Sequence, residues 1–226
     1  MAGNQAYIKR LFKESALSIT LFALFFLFWG GQAIAGHIHN NEELRSHSQA
    51  TVSFIEYLGS GGFIEATFEN WESEFLQMGA LVVLTIFLKQ RGSADSKKLH
   101  GKEEVDTTSR YSIINASSWR TRQTAIAHTL YRNSLSIALF AIFLASFLLH
   151  GAGGTAAHNT EALAHGEEQL SIVNYMRTSQ FWFESFQNWQ SEFLAVGSLL
   201  VLSIFLRQQG SPESKPVGES NAKTGS

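Results

Sequence analysis

Cysteine is absent from the 226 residues, so disulfides, thiolate catalysis and Cys-ligated zinc or iron–sulfur centres are excluded at the outset. Proline occurs only twice, and charge is sparse: 17 Lys and Arg against 19 Asp and Glu leave a net charge of −2. The basic residues do not form the clusters that phosphate neutralisation requires, which argues against a nucleic-acid partner. Catalytic signatures are missing as well. There is no nucleophile elbow, no phosphate-cradling loop and no dinucleotide fingerprint. Gly151 to Gly154, in GAGGTA, follows a predicted membrane span instead of a strand. What the chain does contain is apolar length. Ala16 to Trp29 and Ser134 to Leu149 carry no charge, and Phe occurs 18 times. The mean hydropathy of −0.01 hides these runs because it averages them with long polar connections.

The chain also says nearly the same thing twice. FENWESEFLQMGALVVLTIFLKQRGS from Phe68 returns as FQNWQSEFLAVGSLLVLSIFLRQQGS from Phe186, an offset of 118 residues, and the same offset places Leu17 to Phe25 on Leu135 to Phe143. Each copy holds two apolar stretches of membrane-relevant length. The expected fold class is therefore all-α and polytopic: four transmembrane helices in two tandem hairpins. The two copies face the same way and are related by a pseudo-twofold axis along the membrane normal.

Charge sets the orientation. Three Lys and Arg precede the first span, nine lie between Lys89 and Arg132, and three follow the fourth span; only Arg45 and Arg177 fall inside the hairpin connections, which are otherwise acidic. The positive-inside bias puts both termini and the central linker in the cytoplasm. The expected division is residues 1–14 as a cytoplasmic N-terminus, 15–93 as hairpin repeat 1, 94–132 as a cytoplasmic linker, 133–211 as hairpin repeat 2, and 212–226 as a disordered tail. Lys9, Arg10 and Lys13 before an apolar run also fit a signal peptide. The matching stretch of the second copy is internal, which favours a retained span. Trp119 to Arg132 reads either as an amphipathic lead-in to the third span or as an extension of its helix. Asn115 sits in a glycosylation sequon on the predicted inner side, so the sequon is discounted.

The second helix of each hairpin poses a physical problem. Its uncharged run, Phe75 to Leu88, spans only ~21 Å at helical rise against a hydrocarbon core of ~30 Å. Upstream residues must enter the membrane, with a helix start near Ser60 in one copy and near Thr178 or Ser179 in the other. Helical spacing then puts Asn70, Ser73, Glu74 and Gln77 on one stripe, matched by Asn188, Ser191 and Glu192. These six repeated residues, Asn70, Ser73, Glu74, Asn188, Ser191 and Glu192, are the candidate membrane-depth polar site. Glu74 and Glu192 would bind a cation, relay a proton, or simply reach the headgroups, with Trp71 and Trp189 as interface anchors.

Histidines gather on the predicted outer side: His37, His39 and His47, then His150, His158 and His165. Their spacing differs between copies and matches no zinc-ligand pattern, so they are expected as solvated loop residues, with no metal and no cofactor. Gln32 and His150 hold equivalent outer-end positions, where either is able to hydrogen-bond across a hairpin.

The pattern F-x-x-x-F-x-N-W-x-S-E-F-L followed by an apolar run and F-L-[KR]-Q, seen in IEATFENWESEFLQM with LTIFLKQRGS and again in WFESFQNWQSEFL with LSIFLRQQGS, resembles a family of bacterial integral membrane proteins catalogued only as a domain of unknown function. The likeness covers roughly Leu11 to Ser96 and Thr129 to Ser214, and the second copy departs from it at Gln187 and Gln190. It implies an inner-membrane location and supplies no activity. Three functional readings follow. The first is a non-catalytic membrane scaffold with the bilayer, a second copy or another membrane protein as partner. The second is a small-ion or proton permeation unit using Glu74 and Glu192. The third is a membrane enzyme with an extracytoplasmic Glu and His site.

Overall fold

A computed structural model of the chain describes residues 12–101, 103–106 and 125–225. Among the described residues there is no strand. The first repeat supplies α1 (Ala16–Ser46), the short α2 (Phe54–Leu58) and α3 (Gly61–Phe87). A short α4 (Ala125–Arg132) leads, after a break at Asn133, into the second repeat: α5 (Ser134–His165), α6 (Ile172–Tyr175) and α7 (Ser179–Phe205). Residues 107–124, with Asn115 and the first part of the predicted lead-in, lie outside the described residues.

Among the described residues two helices, α1 and α5, are long and apolar enough to cross a membrane. At 31 and 32 residues they run about 46 and 48 Å, well beyond a ~30 Å hydrocarbon core. His37, His39, His150, His158 and His165 are therefore helical. The expectation of loop histidines fails because the glycine-rich stretches after the apolar runs continue the helices.

The starts of α3 and α7 fall where the capping residues predict. The Ser60 hydroxyl accepts the Phe63 N–H at 3.3 Å, and Thr178 accepts that of Phe181 at 3.3 Å, satisfying amides that have no intrahelical acceptor. Both helices end as the backbone turns extended at Leu88 and Leu206, one residue before Lys89 and Arg207. The connections repeat in detail. The Asn41 amide brackets the Val52 backbone, donating to its carbonyl and accepting its N–H, and Asn159 does the same for Leu170. Ser53 and Ser171 cap the next short helix. Tyr57 lies on Gly36, and Tyr175 lies on Gly154; a β-carbon at either glycine would fall 2.0 Å and 2.6 Å from the respective phenol oxygen.

The most extensive packing crosses between repeats, along antiparallel α3 and α5. Small residues permit it: a β-carbon on Gly61 would sit 2.4 Å from the Ala157 nitrogen, and one on Gly153 would sit 2.5 Å from the Glu65 nitrogen. Close backbone approach through small residues spaced four apart, here Gly153 and Ala157, is how helices associate when lipid removes the hydrophobic drive between them. Further along, Gly79 receives the ring of Phe140. Parallel α3 and α7 touch over a shorter length. Within the first hairpin, α1 reaches α3 through rings instead of backbone: Phe25 with Trp71 (centroids 5.8 Å apart), Trp29 with Phe63 (6.1 Å) and Trp29 with Trp71 (6.4 Å). A twofold relation between the repeats would match the α3–α5 packing with one of α7 on α1, and no packing of similar extent joins that pair.

Burial is inverted relative to a water-soluble bundle. Glu72, Ser73, Ser146, His150 and Ser185 are among the largest fully buried side chains, while Leu17 is 73%, Phe22 64% and Phe28 70% exposed.

The segment expected as a disordered tail folds back on the end of the first hairpin. The Gly92 N–H donates to Thr224 Oγ1 at 2.8 Å, and the Gly225 N–H donates to the Ser93 carbonyl at 3.0 Å. Arg207 donates to the Glu219 carbonyl (3.0 Å), and the Lys215 ammonium donates to that of Lys223 (2.7 Å). Two cations thus gather the carbonyls of a chain whose composition alone offers no core.

Candidate functional site

The buried polar residues of three helices and one connection meet near the outer end predicted for the spans. From α3 comes a carboxylate stripe at helical spacing, Glu65, Glu69 and Glu72. From α5 comes His150, from α6 Tyr175, and from α7 Glu184 and Trp189.

His150 is fully buried and lies between two carboxylates. Its Nδ1 is 3.1 Å from Glu72 Oε2, and its Nε2 is 3.4 Å from Glu184 Oε2. Glu72, equally buried, accepts the Trp189 indole N–H at 3.1 Å on its other oxygen. The Tyr175 hydroxyl stands 2.9 Å from Glu65 Oε1 and 3.2 Å from Glu184 Oε2. Gln180 donates to the remaining oxygen of Glu184 at 3.1 Å. The imidazole ring stacks on Phe181 at 4.7 Å between centroids, which fixes its plane. Gly154 completes the wall, since a β-carbon there would fall 2.5 Å from Glu65 Oε1. Burial, and then the Glu65 carboxylate, push the Tyr175 phenol above its ordinary range, so the hydroxyl keeps its proton and donates.

The donors do not match the acceptors. Tyr175 has one proton for two carboxylate oxygens, and His150 satisfies both Glu72 and Glu184 only when both ring nitrogens carry hydrogen. Three carboxylates face one histidine, and among the described residues neither Lys nor Arg forms an ion pair with any of them. A buried excess of negative charge of this kind is stabilised by a cation.

The residues expected to form the site are placed elsewhere. Asn70 and Glu74 are exposed on α3 and line, with Trp71, Gln32 and Trp29, a cavity of about 530 Å³ between α1 and α3. Ser73 is buried, yet its hydroxyl donates to the Asn70 carbonyl, and the Asn70 amide donates to that of Ala66. Asn188 and Ser191 bond their own helix in the same way. This back-bonding spends the polar stripe locally, so it does not reach across to a neighbour. Glu192 is half-buried and within electrostatic range of Glu74, but no bond joins the pair to the buried cluster. Trp71 fills the gap between α1 and α3, whereas Trp189 turns its indole N–H to Glu72.

The functional side chains that sequence reasoning passed over carried one signal. At the repeat offset Glu72 and Glu69 correspond to Gln190 and Gln187, and His150 corresponds to Gln32. The acids and the histidine are charged together in one set and are amides together in the other, as partners in contact would be.

The geometry can be set beside known proteins. A family model described as a domain of unknown function (DUF6766) matches residues 8–226. The chain belongs to the DUF6766 family. The DUF6766 match includes the linker and the tail, beyond the two stretches on which the motif alone rests. No curated protein and no solved structure matches the chain.

Proposed function

We propose that this DUF6766 protein is a four-span, non-catalytic integral membrane protein that admits small cations from the outer side to the buried Glu65, Glu72, His150 and Glu184 centre. The observation that carries the reading is His150, wholly buried between carboxylates of α3 and α7 with an unbalanced negative charge around it.

Depth supports it. Glu72 lies 17 residues before Lys89 and His150 lies 18 after Arg132, so each is about 25–27 Å from the basic boundary and just beneath the outer edge of a ~30 Å core. Ionisable groups at such depth face a bundle interior or a watery path and mark ion routes. The exposed apolar faces of α1 and α5 support lipid as the surrounding solvent. The Lys and Arg distribution supports cytoplasmic termini, and the motif's resemblance to bacterial integral membrane proteins supports an inner-membrane location. The duplicated sequence supports two parallel hairpins, which the cross-repeat packing has pulled away from symmetry.

The test is cation flux into proteoliposomes with dyes for monovalent and divalent ions. Wild type should conduct above empty vesicles. Glu72→Gln and Glu184→Gln should fall at least tenfold, while Glu74→Gln and Glu192→Gln should stay near wild type. Background flux in wild type for every cation overturns the reading.

A scaffold reading keeps one observation of its own. The α1 helix meets α3 through rings and one bond, from the Trp29 indole to the Thr67 hydroxyl at 3.4 Å, and its opposite face leaves Leu27, Ile34 and Ile38 exposed, a surface suited to a second copy or another membrane protein. In-membrane cross-linking that recovers only monomer removes it.

A further inference from the structure

Resting on the cation reading above, we infer that the centre is a metal site: Glu65, His150 Nε2 and Glu184 bind one divalent first-row transition ion of the zinc class. Ligand atoms of the three residues all lie within 4.8 Å of one another and come from three different helices.

The spacing fits a metal better than it fits hydrogen bonds. His150 Nε2 and Glu184 Oε2 are 3.4 Å apart, long for a charge-assisted bond. Ligand atoms at ~2.0–2.1 Å from a tetrahedral zinc ion are separated by about 3.3–3.4 Å. Glu65 completes the set, with a carboxylate oxygen within 4.8 Å of the other two ligand atoms.

The surroundings have the form that metal centres require. The other ring nitrogen of His150 is bonded to Glu72, and Glu72 is held in turn by the Trp189 indole. A carboxylate on the far side of a ligating imidazole fixes its tautomer, presents Nε2 to the ion and raises its basicity. The Tyr175 hydroxyl bridges the two ligating carboxylates, and Gln180 fixes the second oxygen of Glu184. Tyr175 and Gln180 are thus positioning residues. A dication also offsets two of the three carboxylate charges. One imidazole among carboxylates selects against magnesium and calcium, which take oxygen ligands, and leaves open a fourth position for water.

The experiment uses the full chain purified in detergent and stripped with chelator. Zinc titration by calorimetry should give one ion per chain, with magnesium and calcium failing to compete. His150→Gln and Glu184→Gln should abolish stoichiometric binding, and Glu74→Gln should leave it unchanged. Glu72→Gln keeps all three ligands and should weaken affinity about 10- to 100-fold at the same stoichiometry. Circular dichroism and gel filtration check each variant's fold. Cobalt loading should give visible ligand-field bands in wild type and in Glu72→Gln that His150→Gln lacks. Zinc binding that is absent from wild type, or that survives equally in His150→Gln and Glu184→Gln, overturns the inference. Zinc bound without any cation flux would retain the metal site and remove the transport reading; monovalent flux through a chain that binds no zinc would do the reverse.

Discussion

At the scale of single residues, the chain concentrates its burial cost in His150 and its carboxylate partners. Removing one partner of a buried pair strands the other, at about 3–5 kcal/mol. His150→Leu should therefore destabilise the protein by that order in detergent unfolding. His150→Gln, which installs the amide that stands at Gln32 in the first repeat, should cost less than half as much because it still donates to a carboxylate. Equal losses in the two variants would show that hydrogen bonding at this position is not what matters. His150 was hard to see in the sequence for a definite reason. It follows the last apolar residue of a span and precedes GAGGTA, a pattern that looks like a helix end. Its partners Glu72 and Glu184 are 78 residues away in the first repeat and 34 away in the second. No local spacing encodes a site assembled from three helices.

At the scale of elements, α3 and α5 are joined because glycine lets backbone meet backbone. Gly153→Ala puts a carbon 2.5 Å from the Glu65 nitrogen, and backbone cannot yield as a side-chain tip would. A loss of about 1–3 kcal/mol is expected from such overpacking, with lowered metal affinity because Glu65 moves. Gly197→Ala, on α7, meets nothing within 4 Å. It should be neutral or stabilising by up to about 1 kcal/mol, the helix-propensity gain. Thermal unfolding of the two variants side by side checks the contrast, and similar behaviour would contradict the packing described. Element positions were largely legible. Ser60 and Thr178 announce the starts of α3 and α7, and Lys89 and Arg207 their ends, because capping and charge are local chemistry. Which polar stripe turns inward was not legible. Asn70, Ser73 and Glu74 share a helical face with Gln77, but Glu65, Glu69 and Glu72 share another. The choice between them depends on where α5 docks, and the docking is set by glycines that come after the apolar run and carry no local sign of a partner.

At the scale of the whole molecule, the two similar halves of the sequence pack unequally. The repeated sequence, the matched Asn41 and Asn159 brackets and the Tyr57 and Tyr175 seats preserve the duplication. Glu72 and His150 meet where α3 of one copy packs on α5 of the other, and amides, Gln190 and Gln32, stand at the equivalent positions, whereas Glu65 and Glu184 correspond to Phe183 and Ala66. That junction holds the buried site. Its most direct test is a double-mutant cycle on the full chain, with His150→Leu, Glu72→Leu and the pair together, each measured by reversible unfolding in detergent. Because each single change strands a buried partner that the double change removes, the double variant should be destabilised by at least about 1 kcal/mol less than the sum of the singles. Strict additivity would mean that Glu72 and His150 do not meet, and the site would have to be abandoned.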